Sequence, residues 1–381
     1  MLKTFDKERL LLSVAILVCL TASITLEVWV RKCGFLLTPD SYEYVSAAAT
    51  FKASRLFIGT SGNYYTQWPP LFPVILALFE DPLAAMVWIQ VICKIVLAAV
   101  VLSLANHFLK NVVIKIIFFS GVWLSVHMLM ISVFLWSEII FVTLFMIHLF
   151  ACVNLNKKDM YYYVMLAAGI LLCLQRNAGI FLVFSATVWM LMDSALIVKR
   201  KIYKAVSYAG ICTMTLLCWY YYNIFFMVGS EPFYKRDFFA HTSYNIEYIL
   251  ITLSHLFVPL KGKIAVATGI VISIVFIIGC YQHFNATGTV KLLVLTIAIY
   301  TIGFLAIPNL NVHEMERFFA AILPVFLILM MVFVERLIVI RSWWLTPGIL
   351  FFSLWIAYSV VRTGKNALQW HEMSCKMVYA K

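Results

Sequence analysis

Charge is what this chain has least of. Asp, Glu, Lys and Arg make up 12% of its 381 residues, and 64% are hydrophobic, whereas an ordinary soluble domain is about 25% charged. So little polar surface cannot cover a water-soluble body of this size, and lipid has to be the solvent for most of it. Other absences narrow the reading. No small-residue cleavage site follows the first apolar run, Leu10 to Val30; Arg31 and Lys32 come next, so the run reads as a retained helix rather than a signal peptide. The nine cysteines contain no CxxC or zinc spacing and the eight histidines no HExxH or i,i+4 pair, so no metal or other cofactor is implied by spacing. The net charge of +12 suits anionic headgroups and phosphates, but the cations are scattered between apolar runs, which argues against nucleic acid. No internal repeat is visible, and secondary transporters often carry one.

What is present is a series of apolar runs long enough to cross a bilayer. They fall near 10–30, 83–106, 112–131, 138–155, 160–175, 179–197, 203–224, 264–282, 290–308, 317–335 and 343–361. The prediction is an all-α integral membrane protein with about 11 transmembrane helices. Short basic segments, such as Lys110/Lys115, Lys157/Lys158 and Lys199/Arg200/Lys201/Lys204, then place the N-terminus inside and the C-terminus outside. Two longer outer regions remain. Residues 31–82 include Trp68-Pro-Pro-Leu-Phe-Pro-Val-Ile-Leu-Ala-Leu-Phe79, too short to span and suited to an interfacial or re-entrant helix. Residues 225–262, aromatic with interleaved charges, read as a second outer layer. Residues 1–361 are expected to form the membrane domain and 362–381 a short outer tail. Most cysteines fall inside spans as small apolar fillers; Cys33 and Cys375 fall outside and could meet there. The sequon at Asn285 falls on the inner face, where it would be inert.

Few residues in such a chain can carry chemistry. Asp40 follows Pro39 at the start of a predicted helix, with Tyr44 one turn on. It suits a cap at the positive helix end, or a general base taking a proton from an acceptor hydroxyl. Glu138, at the outer mouth of the fourth run, has the same two readings, and an ionisable group at the edge of a membrane bundle is a functional candidate. Arg176 lies between two apolar runs with no carboxylate among its sequence neighbours; Arg317 follows His313 and Glu314, its obvious local partners. Either guanidinium could instead be reserved for a phosphate, to which its fork donates two bonds. Lys94 sits mid-run with no partner evident from sequence.

In order, these segments resemble the GT-C glycosyltransferases, notably bacterial members similar to protein O-mannosyltransferases and polyprenyl-phosphate-sugar enzymes. The resemblance rests on Asp40-Ser-x-x-Tyr44, Trp68-Pro-Pro-Leu-Phe-Pro73, Ser137-Glu138-x-x-Phe141, Arg176-Asn-Ala-Gly179, Tyr222-Asn223 and Arg317-Phe-Phe with Pro324. It covers residues 1 to about 335 and implies a GT-C-like bundle with helical outer loops, embedded in a bacterial cell membrane. It further implies inverting transfer of a monosaccharide from a polyprenyl-phosphate donor in an outward-facing cavity formed by 31–82 and 225–262. Asp40 and Glu138 would be the catalytic carboxylates. Arg176, Arg317, Lys235 and Arg236 are the candidate binders of the donor phosphate, and Tyr44, Trp68 and Asn223 would line the cavity. The acceptor, a glycan, lipid or protein, stays open. Two other readings are a transporter or flippase of a lipid-linked or small polar substrate, and an O-antigen polymerase or ligase type of enzyme. Transport would call for polar residues deep in several spans, whereas most charges here sit at the rims.

Overall fold

A computed structural model describes residues 2–66, 68–192, 198–226, 238–283, 288–305, 307, 311–339 and 345–379. Within these residues the apolar runs become helices, since in lipid a backbone must satisfy its own hydrogen bonds. The order is α1 (Leu2–Val30), α2 (Pro39–Ser54), α3 (Leu71–Ala77), α4 (Pro82–Phe108), α5 (Val112–Trp123), α6 (Val126–Val133), α7 (Glu138–Val153) and α8 (Met160–Gln175). It continues with α9 (Gly179–Met192), α10 (Val198–Phe226), α11 (Phe238–Phe257), α12 (Gly262–His283), α13 (Gly288–Leu305), α14 (Val312–Val339) and α15 (Leu345–Tyr379). Among the described residues there is no strand, and two isolated bridges pair Leu36 with Phe134 and Ile58 with Tyr64.

Within the described residues each of the eleven apolar runs falls on one helix, or for 112–131 on two, but they are not equal as spans. Among the described residues five helices are long and apolar enough to cross on their own: α1, α4, α12, α13 and α14. The pair α5 and α6, bent by 41°, makes a sixth if counted as one broken span. α7, α8 and α9 are apolar but 16, 16 and 14 residues long, roughly 21–24 Å at 1.5 Å per residue against a core of about 30 Å. α7 is buried along most of its length, packed between α8 and α4, so protein rather than lipid surrounds it. α14 is the other central helix: 72% of its apolar window is buried, against 17% for α1 and α12, which face outward.

Both of the longer regions between apolar runs contain helices. α3 falls within Trp68–Phe79, and α11 within 225–262, where Phe225 and Phe226 extend α10 instead. Residues 362–379 continue α15 without a break. That half of α15 is fastened to the end of α1 by a disulfide between Cys33 and Cys375, by Ser374 Oγ donating to the Val30 carbonyl at 2.8 Å, and by His371 stacked on Trp29. Ala367 packs with Val30, Leu36, Leu129 and Val133 in a small apolar cluster of its own. Thr363 Oγ1 donates to the Leu124 carbonyl at 2.8 Å, at the α5–α6 bend.

Candidate active site

Two helix starts bring the two acidic candidates together. Before α2, the Thr38 amide donates to Ser41 Oγ (3.0 Å), and the Ser41 hydroxyl donates onward to the Leu135 carbonyl (2.9 Å). Next to this, Leu36 N donates to Val133 O and Leu135 N to Leu36 O. The segment leading into α2 is thus zipped to the segment leading into α7. Asp40 and Glu138 stand in the first turns of these two helices, where exposed N–H groups favour negative charge.

The arginines come from α14 and from the α8–α9 corner. Arg317 Nη1 donates to Asp40 Oδ2 at 2.7 Å, and its Nε lies 2.5 Å from Glu138 Oε1. Arg176 pairs with the same Oε1 and donates to Ser137 Oγ at 3.2 Å. Gln175 holds the corner by donating to the Ser137 carbonyl at 3.0 Å. Gly179 is needed here because a Cβ would collide with the Leu172 carbonyl as α9 leaves α8, which accounts for Arg176-Asn-Ala-Gly179 in physical terms. Aromatic rings complete the walls: Arg317 lies over Trp136 and Arg176 over Phe318, each guanidinium carbon 4.7 Å from the ring centroid. Trp136 is itself fixed by donating to Thr38 Oγ1 at 2.8 Å.

Two carboxylates and two guanidiniums make a neutral set, which burial demands. The members differ in exposure. The Glu138 side chain is 2% exposed, Arg176 6% and Arg317 8%, while Asp40 is 23% exposed. Glu138 is therefore the deep counter-ion, its Oε2 lacking a hydrogen-bond partner, and Asp40 is the carboxylate that a solute can reach. Such a set can accept a proton at its rim and present positive charge behind it.

Tyr44 lies beside this cluster, buried against Phe72 (4.9 Å) and Trp68 (5.5 Å). Its hydroxyl has no hydrogen-bond partner, and burial pushes its pKa up to about 12. Trp68 is half-buried. Asn223 bonds the Thr66 carbonyl at 3.1 Å and so ties α10 to the first outer loop. Lys235 and Arg236 lie outside the described residues, as does the sequon at Asn285. No group of His, Cys, Asp or Glu among the described residues is arranged to hold a metal.

Packing supplies partners that sequence neighbours do not, and one local expectation, that for Arg317, is corrected. Arg176 does have a carboxylate, Glu138, supplied by tertiary packing. Arg317 leaves its sequence neighbours alone: Glu314 forms a reciprocal cap with Asn311, and the guanidinium turns to Asp40 and Glu138. Lys94 finds its partner in Glu27, an ion pair that also includes Arg31. Trp136, Ser137 and Gln175 were not foreseen as site residues, although the first two directly precede Glu138.

The chain matches no family model and no curated protein sequence. Its fold nonetheless resembles that of solved structures. It is similar to ArnT from Cupriavidus metallidurans bound to undecaprenyl phosphate, with a TM-score of 0.57 and 12% identity over 96% of this chain and 72% of that one. The apo structure of the same ArnT gives a TM-score of 0.55 and 12% identity over 95% and 73%.

Proposed function

We propose that this chain is an inverting glycosyltransferase that moves a monosaccharide from a polyprenyl-phosphate donor to an acceptor hydroxyl on the outer face of the membrane. The observation that carries the reading is the partly exposed Asp40 seated on Arg317, with Glu138 and Arg176 behind it. In the reaction the acceptor oxygen attacks the anomeric carbon while its proton passes to Asp40. The bond from that carbon to the phosphate oxygen breaks, and the leaving polyprenyl phosphate gains negative charge. Arg317 and Arg176 stand ready to stabilise that charge, with Glu138 holding both forks in place. The likeness to a fold that binds undecaprenyl phosphate in ArnT supports a lipid-phosphate donor here. The Cys33–Cys375 disulfide supports the outward orientation, because such bonds persist in oxidising compartments.

The test is turnover by the purified chain in detergent, where vectorial transport has no meaning. A panel of undecaprenyl-phosphate monosaccharides is incubated with acceptor extracts, and free undecaprenyl phosphate is measured. Donor cleavage that depends on the acceptor supports the reading. Donors left intact throughout while the lipid still binds would favour the transporter alternative.

A further inference from the structure

Immediately before Arg317 on α14 stands a pair that the transfer chemistry does not use. His255, two residues before the end of α11, directs Nδ1 at Glu316 Oε1 and Nε2 at the Leu260 carbonyl, the latter at 2.7 Å. Both partners are acceptors once Glu316 is ionised, and a neutral imidazole has only one N–H. Whichever tautomer it adopts, one nitrogen lone pair then faces an oxygen lone pair. The geometry is satisfied only when the pair holds one extra proton, as imidazolium against carboxylate. The side chains are 14% and 15% exposed, so that proton can exchange with solvent.

We infer that His255 and Glu316 are positioning residues that share a proton and thereby fix Arg317 in the site. Glu316 joins the first turns of α14 to the α11–α12 turn, and Arg317 is its neighbour on the same helical turn. Losing the tie frees the segment that aims the guanidinium at Asp40 and Glu138, and bidentate recognition tolerates little misplacement. The other groups facing the pair are cationic or neutral. Arg362 of α15 donates to the His255 carbonyl at 2.6 Å, and His127 of α6 is buried with Nε2 lacking a hydrogen-bond partner. Lys261 and Lys263, flanking the turn, are exposed. Arg362 opposes the extra proton, and burial opposes it more. The hydrogen bonds to Glu316 and Leu260, together with the charge of Glu316, outweigh both and leave His255 raised from its usual value. A raised value means the tie is complete at low pH and lost as pH climbs through the His255 titration.

The consequence for ligand rests on the donor-phosphate role proposed for Arg317; the proton-sharing does not. Full-length protein with ¹⁵N-histidine is therefore followed by NMR of the imidazole ring, alongside affinity for undecaprenyl phosphate, both against pH. In the wild type both ring nitrogens stay protonated above about pH 6.5, where a free imidazole is half neutral. Glu316→Gln is the discriminating variant, because a glutamine amide can donate to Nδ1 while a neutral ring donates to Leu260. Wild-type affinity should fall about tenfold as the pair loses its proton, and that of Glu316→Gln should stay flat. A neutral His255 ring in the wild type at about pH 6.5 overturns the inference without recourse to any variant, and so does equal pH dependence in Glu316→Gln. A ring that titrates as stated in a protein that never binds undecaprenyl phosphate upholds the proton-sharing pair and refutes the donor reading of Arg317 instead.

Discussion

Among the described residues the protein buries the same motif twice, a glutamate between two cations. Glu138 lies between Arg176 and Arg317; Glu27, near the end of α1, lies between Arg31 (2.6 Å) and Lys94 of α4. The difference is what completes each set. Glu27 gains a neutral neighbour, Gln90, which accepts a bond from Arg31, and Lys94 reaches Ser23 at 3.5 Å. All the ionic side chains there are 7% exposed or less. Glu138 gains a second carboxylate, Asp40, at the rim and accessible. A buried ion triad therefore identifies no active site by itself, since one of these two joins helices α1 and α4. An accessible titratable group backed by buried cations is what separates chemistry from scaffolding.

Asp40→Asn should have the largest effect on turnover. The amide retains the shape and can still accept from Arg317, but it cannot take the acceptor's proton. General-base catalysis contributes about 100- to 10,000-fold, so transfer should fall by that much while undecaprenyl phosphate still binds. Near-normal turnover would remove Asp40 from the role.

Glutamine at each buried glutamate sharpens the comparison. Glu27→Gln leaves Arg31 and Lys94 without a carboxylate, Glu138→Gln leaves Arg176 without one while Arg317 keeps Asp40, and breaking a buried pair costs about 3–5 kcal/mol. Both variants should lower the unfolding midpoint in a matched detergent. Only Glu138→Gln should also reduce turnover per folded molecule, because in the proposed reaction only its cations face the donor. Equal kinetic losses in the two variants would mean that the comparison has been drawn at the wrong place.

How much of this was legible in the sequence follows the range of each interaction. The apolar runs became helices because lipid leaves the backbone no alternative, and Asp40 and Glu138 were visible because a helix start is a local signal. The partners were not. Asp40 and Arg317 are 277 residues apart, and nothing near Arg176 hints that Glu138 will occupy it. Lys94 looked solitary for the same reason. The bounds of α7 and α8 follow the runs read from hydropathy, but hydropathy alone does not separate a helix buried in protein from one crossing lipid. His255 and Glu316 lacked any spacing signal, being joined only where α11 meets α14.

The smallest expected effect concerns the strap between α15 and the end of α1. Cys33→Ser removes a bond between residues 342 apart in sequence, and disulfides typically contribute about 2–4 kcal/mol by restricting the unfolded chain. Here the lower end is expected, because helices held in a bilayer already restrict where α1 and α15 can go. Ser374, the Trp29–His371 stack and the Ala367 cluster remain to hold the strap. The Leu36–Phe134 bridge beneath it, which fixes both carboxylates, should shift little, so turnover should drop by no more than about tenfold. The same bond sharpens the orientation. After mild reduction of intact cells, a membrane-impermeant maleimide should label Cys33 and Cys375 from outside. Labelling only after the membrane is opened would place the strap, and with it Asp40, on the inner face, and the outward-facing transfer reaction would fall.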